Sequence, residues 1–377
     1  MLKCEDLWGV FKDNGLNFFT GVPDSTFKDW MSFLADNAGK ELENIIAANE
    51  GEAVAIATGH HLATGNVGVV YMQNSGVGNT VNPITSLADP EVYGIPMLLM
   101  VGWRGEPGKK DEPQHRKMGR VMMPVLDAME VPYVELPSDI EAAAGVIAHA
   151  KAEALRIGMP HALIVKKGTF EKYAAQKKVS QDYEMVREDA IKTVIDGLSP
   201  EAVVVSTTGK ASREVFEHRE ATGGGHQNDF LTVGSMGYSS AIALSVALAK
   251  PKRQVYVFDG DGAAIMHAGS LATIGHYKPK NLCHIVFNNE AYGSTGGQPT
   301  TATTVDFANA AIANGYVGAD VVDTKAQLMD AMTARSGNDG PYMLIVNVKK
   351  GARSDLGRPT TTPQENKSAF MDLLKSD

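Results

Sequence analysis

QVYVFDGDGA, residues 254–263, decides the fold of this chain. The apolar run Gln254–Phe258 predicts a buried strand, and the Gly-Asp-Gly after it predicts a tight turn into a helix. The next strand-like run, Leu282–Asn288, ends in a second polar element, an Asn pair. Because the carboxyl ends of parallel strands meet at one edge of a sheet, we expect the Asp of the Gly-Asp-Gly turn and an amide of the Asn pair to lie close together.

Oxygen donors of this kind favour a hard divalent cation. One carboxylate, one amide oxygen, a backbone carbonyl and phosphate oxygens form the octahedral set that Mg²⁺ prefers. The alternative is an Asp that caps a helix beside an unrelated Asn pair. The placement of both elements at strand ends favours the metal–diphosphate site.

Working outward, short apolar runs alternate with amphipathic stretches over nearly the whole chain. This pattern predicts an α/β protein with two doubly wound parallel-sheet domains, 1–170 and 189–377, joined by a polar linker, 171–188. The runs predicted as strands are Asn17–Gly21, Asn44–Ala48, Gly68–Gln73, Met97–Trp103, Pro132–Leu136, His161–Lys166, Ala202–Ser206, Phe230–Val233, Gln254–Asp259, Leu282–Asn288 and Met343–Val348.

Composition excludes several classes of protein. The chain has 377 residues, 44 % of them hydrophobic and 21 % charged, as in ordinary globular domains. A net charge of −9 argues against nucleic-acid and anionic-membrane binding. Two distant cysteines make no disulfide framework, and no apolar run approaches the length that spans a bilayer. We therefore expect a cytoplasmic α/β protein.

The arrangement around Asp261 resembles the metal–diphosphate motif of thiamine diphosphate (ThDP) enzymes. The resemblance implies ThDP and Mg²⁺ as cofactors, with Asp261, the Asn289 side chain and the Ala291 carbonyl as metal ligands. It places Gly260, Gly262 and Ala263 at the diphosphate; Ala263 stands where many members have Ser or Thr.

Three further motifs match this family in the expected order. Glu50, in IIAANEGEAVAIATG, corresponds to the glutamate that hydrogen-bonds the pyrimidine ring and activates the cofactor. The other cofactor contacts implied are Gly234, Ser235 and Met236 in VGSMG, and Thr207, Thr208 and Gly209 in STTGK. Taken alone, Glu50 suits a helix N-terminus and Met236 suits a core.

The resemblance also implies the domain roles. Residues 1–170 would form the pyrimidine-binding (PYR) domain, and 189–377 the diphosphate-binding (PP) domain with a C-terminal tail, without a middle domain. Cofactor sites in this family lie between subunits, so a homodimer or larger homo-oligomer is expected.

Longer strings narrow the resemblance to the phosphonopyruvate decarboxylase family, whose members convert 3-phosphonopyruvate to phosphonoacetaldehyde and CO₂. They include FFTGVPDS, YMQNSGVGNTVNP, MLLMVGWRGEPGKKDEPQH and DLGRPTTTPQENK. The alternatives are a sulfopyruvate decarboxylase, a ThDP-dependent carboligase or transferase, and a nucleotide-binding module without catalysis.

A dianionic substrate requires cations and hydrogen-bond donors. The basic segment 103–120 stands out in an acidic chain, although a solvated loop of mixed charge is the alternative. The candidate substrate residues are Ser25, Asn74, Arg104, Lys109, Lys110, Ser294, Thr295, Gln298, Arg353 and Arg358.

Two more residues are candidates for proton transfer. His115, in DEPQH, and Asp24, in GVPDS, correspond to an active-site histidine and acid of related decarboxylases. Asp24 could instead cap the helix after it, and His115 could be a surface histidine. Thr295 occupies the position where related enzymes have a glutamate, so their proton-transfer scheme does not carry over whole.

Overall fold

The computed structural model describes residues 1–176, 182–293, 295–335 and 340–375. The chain divides into two compact units, Met1–Val179 (unit 1) and Ser180–Asp377 (unit 2). Each unit contains a parallel six-stranded sheet with helices on both faces. The two-domain α/β prediction is confirmed, and the described residues form no middle domain between the sheets.

Unit 1 has the strand order β2-β1-β3-β4-β6-β5, with every pair parallel. Its strands are β1 (Phe18–Gly21), β2 (Glu43–Ile46), β3 (Gly68–Gln73), β4 (Met97–Gly102), β5 (Tyr133–Glu135) and β6 (His161–Val165). Its helices are α1 (Cys4–Asp13), α2 (Lys28–Asn37), α3 (Glu50–Thr64), α4 (Val77–Pro83), α5 (Pro113–Ala128) and α6 (Ile140–Ile157). Strands β4 and β6 are buried at every position, as expected for a sheet covered on both faces.

Unit 2 repeats this topology. Its strands are β7 (Val203–Ser206), β8 (Asp229–Leu231), β9 (Val255–Gly260), β10 (Leu282–Asn288), β11 (Ala291–Tyr292), β12 (Gln298–Pro299), β13 (Gly318–Val322) and β14 (Tyr342–Asn347). Its helices are α7 (Arg187–Asp196), α8 (Lys210–Thr222), α9 (Ser239–Ala249), α10 (Asp261–Met266), α11 (Gly269–Tyr277), α12 (Phe307–Ala313), α13 (Lys325–Arg335) and α14 (Pro363–Lys375).

The large sheet of unit 2 has the order β13-β14-β10-β9-β7-β8, and β11 and β12 form a separate antiparallel hairpin. Counted along each unit, both large sheets read second, first, third, fourth, sixth, fifth. Each sheet separates two apolar clusters, one on each face. The two units are therefore copies of one doubly wound architecture, with ligand sites expected at the carboxyl ends of the strands.

Several elements differ from the sequence prediction. Strand β13 was not predicted, because it is an edge strand whose residues are mostly half-exposed and so lack a continuous apolar run. Helix α5 starts inside the basic segment 103–120 and extends beyond it. Its first residue is Pro113, and proline is tolerated at this position of a helix. Residues 25–37 form a 3₁₀ turn, Ser25–Phe27, followed by α2.

Candidate active site

Glu50 is the first residue of α3, at the carboxyl edge of the sheet in unit 1. Asn49 caps the helix by accepting a 3.0 Å hydrogen bond from the Glu52 N–H, which leaves the Glu50 carboxyl for other partners. This carboxyl is 6 % exposed, and its Oε2 accepts a 2.7 Å hydrogen bond from Asn79 Nδ2. A Cβ at Gly76 would overlap it. The glutamate is thus held between an amide and a glycine.

Asp24 follows β1 and is fully buried. Its Oδ1 accepts a 2.7 Å hydrogen bond from Gln73 Nε2, and a Cβ at Gly102 would overlap its Oδ2. Burial raises the pKa of Asp24, although the Gln73 hydrogen bond and the Arg104 charge oppose the shift. The turn Ser25–Phe27 receives no capping hydrogen bond from this side chain. The Thr26 backbone N–H nevertheless helps to hold down the pKa of Asp24, so the capping alternative stays open.

Arg104 lies just beyond β4 and forms a two-point ion pair with Asp111, at 2.8 Å from Nε and 2.5 Å from Nη2. Its Nη1 donates to Ser25 Oγ at 2.9 Å, and its carbonyl accepts from Asn74 Nδ2 at 2.7 Å. Three predicted substrate residues, Ser25, Asn74 and Arg104, thus meet in one cluster. Although burial raises the pKa of Asp111, the hydrogen bonds from Arg104 hold that pKa well below its ordinary value.

His115 lies in the first turn of α5, on the helix face that also buries Gly119, Met122 and Leu126. The residue is 9 % exposed, and its Nδ1 has no hydrogen-bond partner among the described residues. Burial, and then the Arg104 charge, lowers the pKa of His115 to about 4. The ring is therefore neutral at pH 7, so that one ring nitrogen can donate a hydrogen bond and the other can accept one.

Asp261 is the first residue of α10 in unit 2 and is 3 % exposed. Its Oδ2 accepts a hydrogen bond from the Thr300 hydroxyl. Burial raises the pKa of Asp261 to about 6, against the Thr300 hydrogen bond and nearby backbone N–H groups. A carboxylate buried in this way gains from an adjacent cation.

Asn289 and Ala291 flank Glu290, which has a left-handed backbone with φ of 54°. Asn289 is 4 % exposed, and its Oδ1 accepts a 3.0 Å hydrogen bond from the Ala291 N–H. The β11–β12 hairpin begins at Ala291 and ends just before Thr300. The hairpin therefore delivers the hydroxyl that binds Asp261.

Met236 lies in a second loop with left-handed backbone, at Ser235 (φ 53°) and Gly237 (φ 87°). A Cβ at Gly262 would lie 3.4 Å from Met236 Cε and 2.9 Å from Tyr292 Cε1. The methionine tip therefore reaches the start of α10. Left-handed non-glycine residues are uncommon, and strained backbone of this kind is found at functional sites.

Unit 2 fits a divalent cation and a diphosphate. Asp261 and Asn289 offer hard oxygen atoms. Gly262 has no side chain that would cover the N–H groups at the start of α10. In the part of the chain that the structure describes, no group of three His, Cys, Asp or Glu side chains is arranged so that it could hold a metal ion, so a metal would depend on this mixed oxygen set. Thr207 Oγ1, 5 % exposed, has no hydrogen-bond partner among the described residues and can donate to an oxyanion.

The remaining cofactor residues predicted from sequence lie at strand ends or in the loops just after them. They are Thr208 and Gly209 after β7, Gly234 and Ser235 before α9, Gly260 at the end of β9, and Ala263 in α10. Their assignment to the cofactor stays a prediction.

The other predicted substrate cations are not in the Arg104 cluster's hydrogen-bond network. Lys109 is exposed and pairs with Glu106 at 2.7 Å, and Lys110 is exposed. Arg353 is held by Glu188, Glu217 and Asp355, which tie the tail to unit 2, and Arg358 is exposed. Thr295 donates to Gln298 Oε1 at 2.9 Å in the β11–β12 hairpin, whereas Ser294 lies outside the described residues.

Sequence reasoning missed three residues that hold the candidate site together: Asn79, Asp111 and Thr300. Asn79 lies three residues after Gly76 in a quoted glycine motif, and Asp111 lies in the basic segment. Thr300 follows the Gln298 strand. Each acts by contacting another candidate, which short-range sequence spacing does not show.

Both units of the chain match models of known protein families. Residues 5–131 match the family described as thiamine pyrophosphate enzyme, N-terminal TPP binding domain, and residues 207–346 match its C-terminal TPP binding domain. A phosphonopyruvate decarboxylase of Streptomyces viridochromogenes is 34 % identical, over 97 % of this chain and 93 % of the relative.

Two further relatives match over nearly their whole length. A phosphonopyruvate decarboxylase of Streptomyces hygroscopicus is 33 % identical over 99 % of this chain and 94 % of the relative. A sulfopyruvate decarboxylase of Methanosarcina acetivorans is 26 % identical over 97 % of this chain and 96 % of the relative. None of the described helices is long and apolar enough to span a bilayer.

Proposed function

Because the chain belongs to the family of thiamine diphosphate-dependent decarboxylases, we propose that it converts 3-phosphonopyruvate to phosphonoacetaldehyde and CO₂. One observation carries the reaction class: Glu50 is buried at the start of α3 with Asn79 bound to one carboxyl oxygen. The substrate is supported by the two relatives called phosphonopyruvate decarboxylase, which share a third of their residues with this chain.

The residues of unit 2 fit the cofactor's diphosphate and its metal. Asp261, Asn289 and the Ala291 carbonyl would hold Mg²⁺, and the N–H groups at the start of α10 would receive phosphate oxygens. Met236 would support the cofactor's rings. When bound, ThDP supplies a nucleophilic carbon and a ring that accepts the electrons released with CO₂.

The residues of unit 1 would hold and transfer protons during the reaction. Glu50 would hold the proton shared with the cofactor's pyrimidine nitrogen, because Asn79 occupies only its Oε2. Neutral His115 can move a proton at the substrate carbonyl oxygen or at the carbon that loses CO₂. Asp24, with its raised pKa, can hold a proton nearby.

The Arg104 cluster is the substrate site that we propose in unit 1. Ser25 and Asn74 offer a hydroxyl and an amide beside a guanidinium whose charge Asp111 already offsets. The Ser25 hydroxyl and the second N–H of the Asn74 amide can donate hydrogen bonds to the carboxylate of the substrate. We further propose a homodimer or larger homo-oligomer, with each cofactor between subunits, as the family resemblance implies.

Side-by-side rates of CO₂ release test the proposal. Wild-type protein with saturating Mg²⁺ and ThDP should prefer 3-phosphonopyruvate to sulfopyruvate and pyruvate, and omission of ThDP should abolish release. Faster release from sulfopyruvate would move the substrate to the sulfonate, which the 26 % identical relative favours as second candidate. Release that ThDP omission leaves intact would refute the reaction class, and carboligation would appear as a new product on adding an aldehyde.

A further inference from the structure

Lys210 is the first residue of α8 and follows the Thr207–Gly209 loop at the carboxyl end of β7. Its Nζ donates a 3.2 Å hydrogen bond to the Gly293 carbonyl, in the loop of the β11–β12 hairpin. One lysine thus connects the loop predicted to receive phosphate with the hairpin that delivers Thr300 to Asp261.

This position is electrostatically unfavourable for a cation. The N-terminus of a helix carries partial positive charge, so a lysine in its first turn is repelled. Burial and then the Arg187 charge lower the pKa of Lys210, and Glu214 only partly opposes them. The Glu214 carboxylate is 1 % exposed and already forms a two-point ion pair with Arg187, at 2.7 and 2.8 Å.

Among the residues that the structure describes, no carboxylate forms an ion pair with Lys210. By contrast, Arg104 and Arg353 each pair with at least one carboxylate. An ammonium group that no carboxylate neutralises can form a charge-assisted hydrogen bond with a bound anion.

Two buried hydrogen-bond donors point to the same kind of ligand. Thr207 Oγ1 (5 % exposed) and Gln298 Nε2 (4 % exposed) have no partner among the described residues. The Gln298 amide oxygen already accepts from Thr295, so its nitrogen is left to donate. Thr207 shares the loop of Lys210, and Gln298 shares its hairpin. Buried donors of this kind require an acceptor.

We infer that Lys210 binds a phosphorus oxyanion through its ammonium group. Two ligands carry an anion of this kind, and they are its two possible sources: the phosphonate of the substrate and the diphosphate of the cofactor. The phosphonate source rests on the proposed function, and the diphosphate source rests only on the family.

Variants of the full-length protein test this inference. Lys210→Met removes the charge, Lys210→Arg keeps it, and Lys252→Met is the control, because Lys252 is exposed at the opposite, amino-terminal end of β9. Calorimetric titration of the apoprotein with ThDP and Mg²⁺ measures cofactor binding. Michaelis constants for 3-phosphonopyruvate and pyruvate measure substrate binding.

The two sources give different results. If the phosphonate is the anion, Lys210→Met raises KM for 3-phosphonopyruvate about tenfold or more, as for one charge-assisted hydrogen bond, and leaves KM for pyruvate and Kd for ThDP unchanged. If the diphosphate is the anion, Kd for ThDP rises by that factor. In either case Lys210→Arg restores most of the loss.

Values of Lys210→Met within twofold of wild type in both measurements would overturn the inference, as would the same losses in Lys252→Met. Thermal unfolding of each variant identifies a misfolded protein. Wild type that binds ThDP but releases no CO₂ would refute the proposed function alone, because the ThDP titration would still test Lys210.

Discussion

Asn79 Nδ2 donates a 2.7 Å hydrogen bond to Oε2 of Glu50, a carboxyl that is only 6 % exposed. The two residues come from different helices, α3 and α4, at one edge of the sheet in unit 1. The bond holds one carboxyl oxygen and leaves the other for a ligand. We therefore regard Asn79 as a positioning residue for Glu50.

Asn79→Ala should lower kcat/KM about 10- to 100-fold, because a buried carboxyl loses its donor and its fixed orientation. Turnover and the Kd for ThDP measure the effect. Asn82→Ala is the matched control, since Asn82 is exposed on the same helix. Equal activity in wild type and Asn79→Ala would contradict the positioning role.

Gly76→Ala tests the other side of the same carboxyl. The added Cβ would overlap Glu50, so either the glutamate or the backbone must move. We expect a loss of about 1–3 kcal/mol in the free energy of unfolding, measured by urea titration, together with weaker ThDP binding. Gly78→Ala, two residues later, has no atom within 4 Å of the new Cβ and should cost far less.

Most of the architecture could be predicted, because strands buried on both faces form uninterrupted apolar runs. Strand β4 reads MLLMVG and is buried at all six positions. Edge strand β13 could not be found in this way, since it reads GADVV and most of its residues are partly exposed. A continuous apolar run therefore does not mark a strand that has one face exposed to solvent.

In the candidate site, too, some residues could be predicted from the sequence and others could not. Glu50 and Asp261 could be predicted because each matches a family motif, and the structure has each at the start of a helix. Asp111 could not, because its role depends on the ion pair with Arg104 and not on its neighbours. Residues that act through a partner become visible only once the chain is folded.

His115 should make stability depend on pH between about 6.5 and 4. Its folded pKa lies near 4 because of burial and then the Arg104 charge, whereas the unfolded value is near 6.5. The unfolded chain therefore binds more protons in this window, and stability falls as the pH falls through it. The difference in urea midpoint between pH 7 and pH 5 should shrink in His115→Gln; an unchanged difference would show that His115 does not contribute.

Thr300→Val should weaken Mg²⁺-dependent ThDP binding about tenfold. The valine keeps the shape of threonine but removes the hydroxyl that binds Asp261 Oδ2, so the carboxylate loses its orientation. Calorimetry at several Mg²⁺ concentrations measures the change. Thr301→Val, at an exposed neighbouring position, should bind as wild type does. Similar affinities for all three proteins would refute this role of Thr300.

Asp111→Asn should show what the Arg104 ion pair contributes to stability and what it contributes to substrate binding. Asparagine leaves the guanidinium without its counter-charge, so we expect a loss of about 1–3 kcal/mol in the free energy of unfolding. KM for 3-phosphonopyruvate should change as well, because Arg104 would then turn from Ser25 or carry an uncompensated charge.

Arg104→Met combined with Asp111→Asn completes the cycle. If the pair is coupled, the double variant is more stable than the sum of the single losses predicts, while substrate binding stays impaired. The exposed pair of Lys12 and Glu41, at 2.7 Å, is the control, and Lys12→Met should change stability by less than about 1 kcal/mol. Strictly additive losses at Arg104 and Asp111 would show that the ion pair orders neither the loop nor the substrate site.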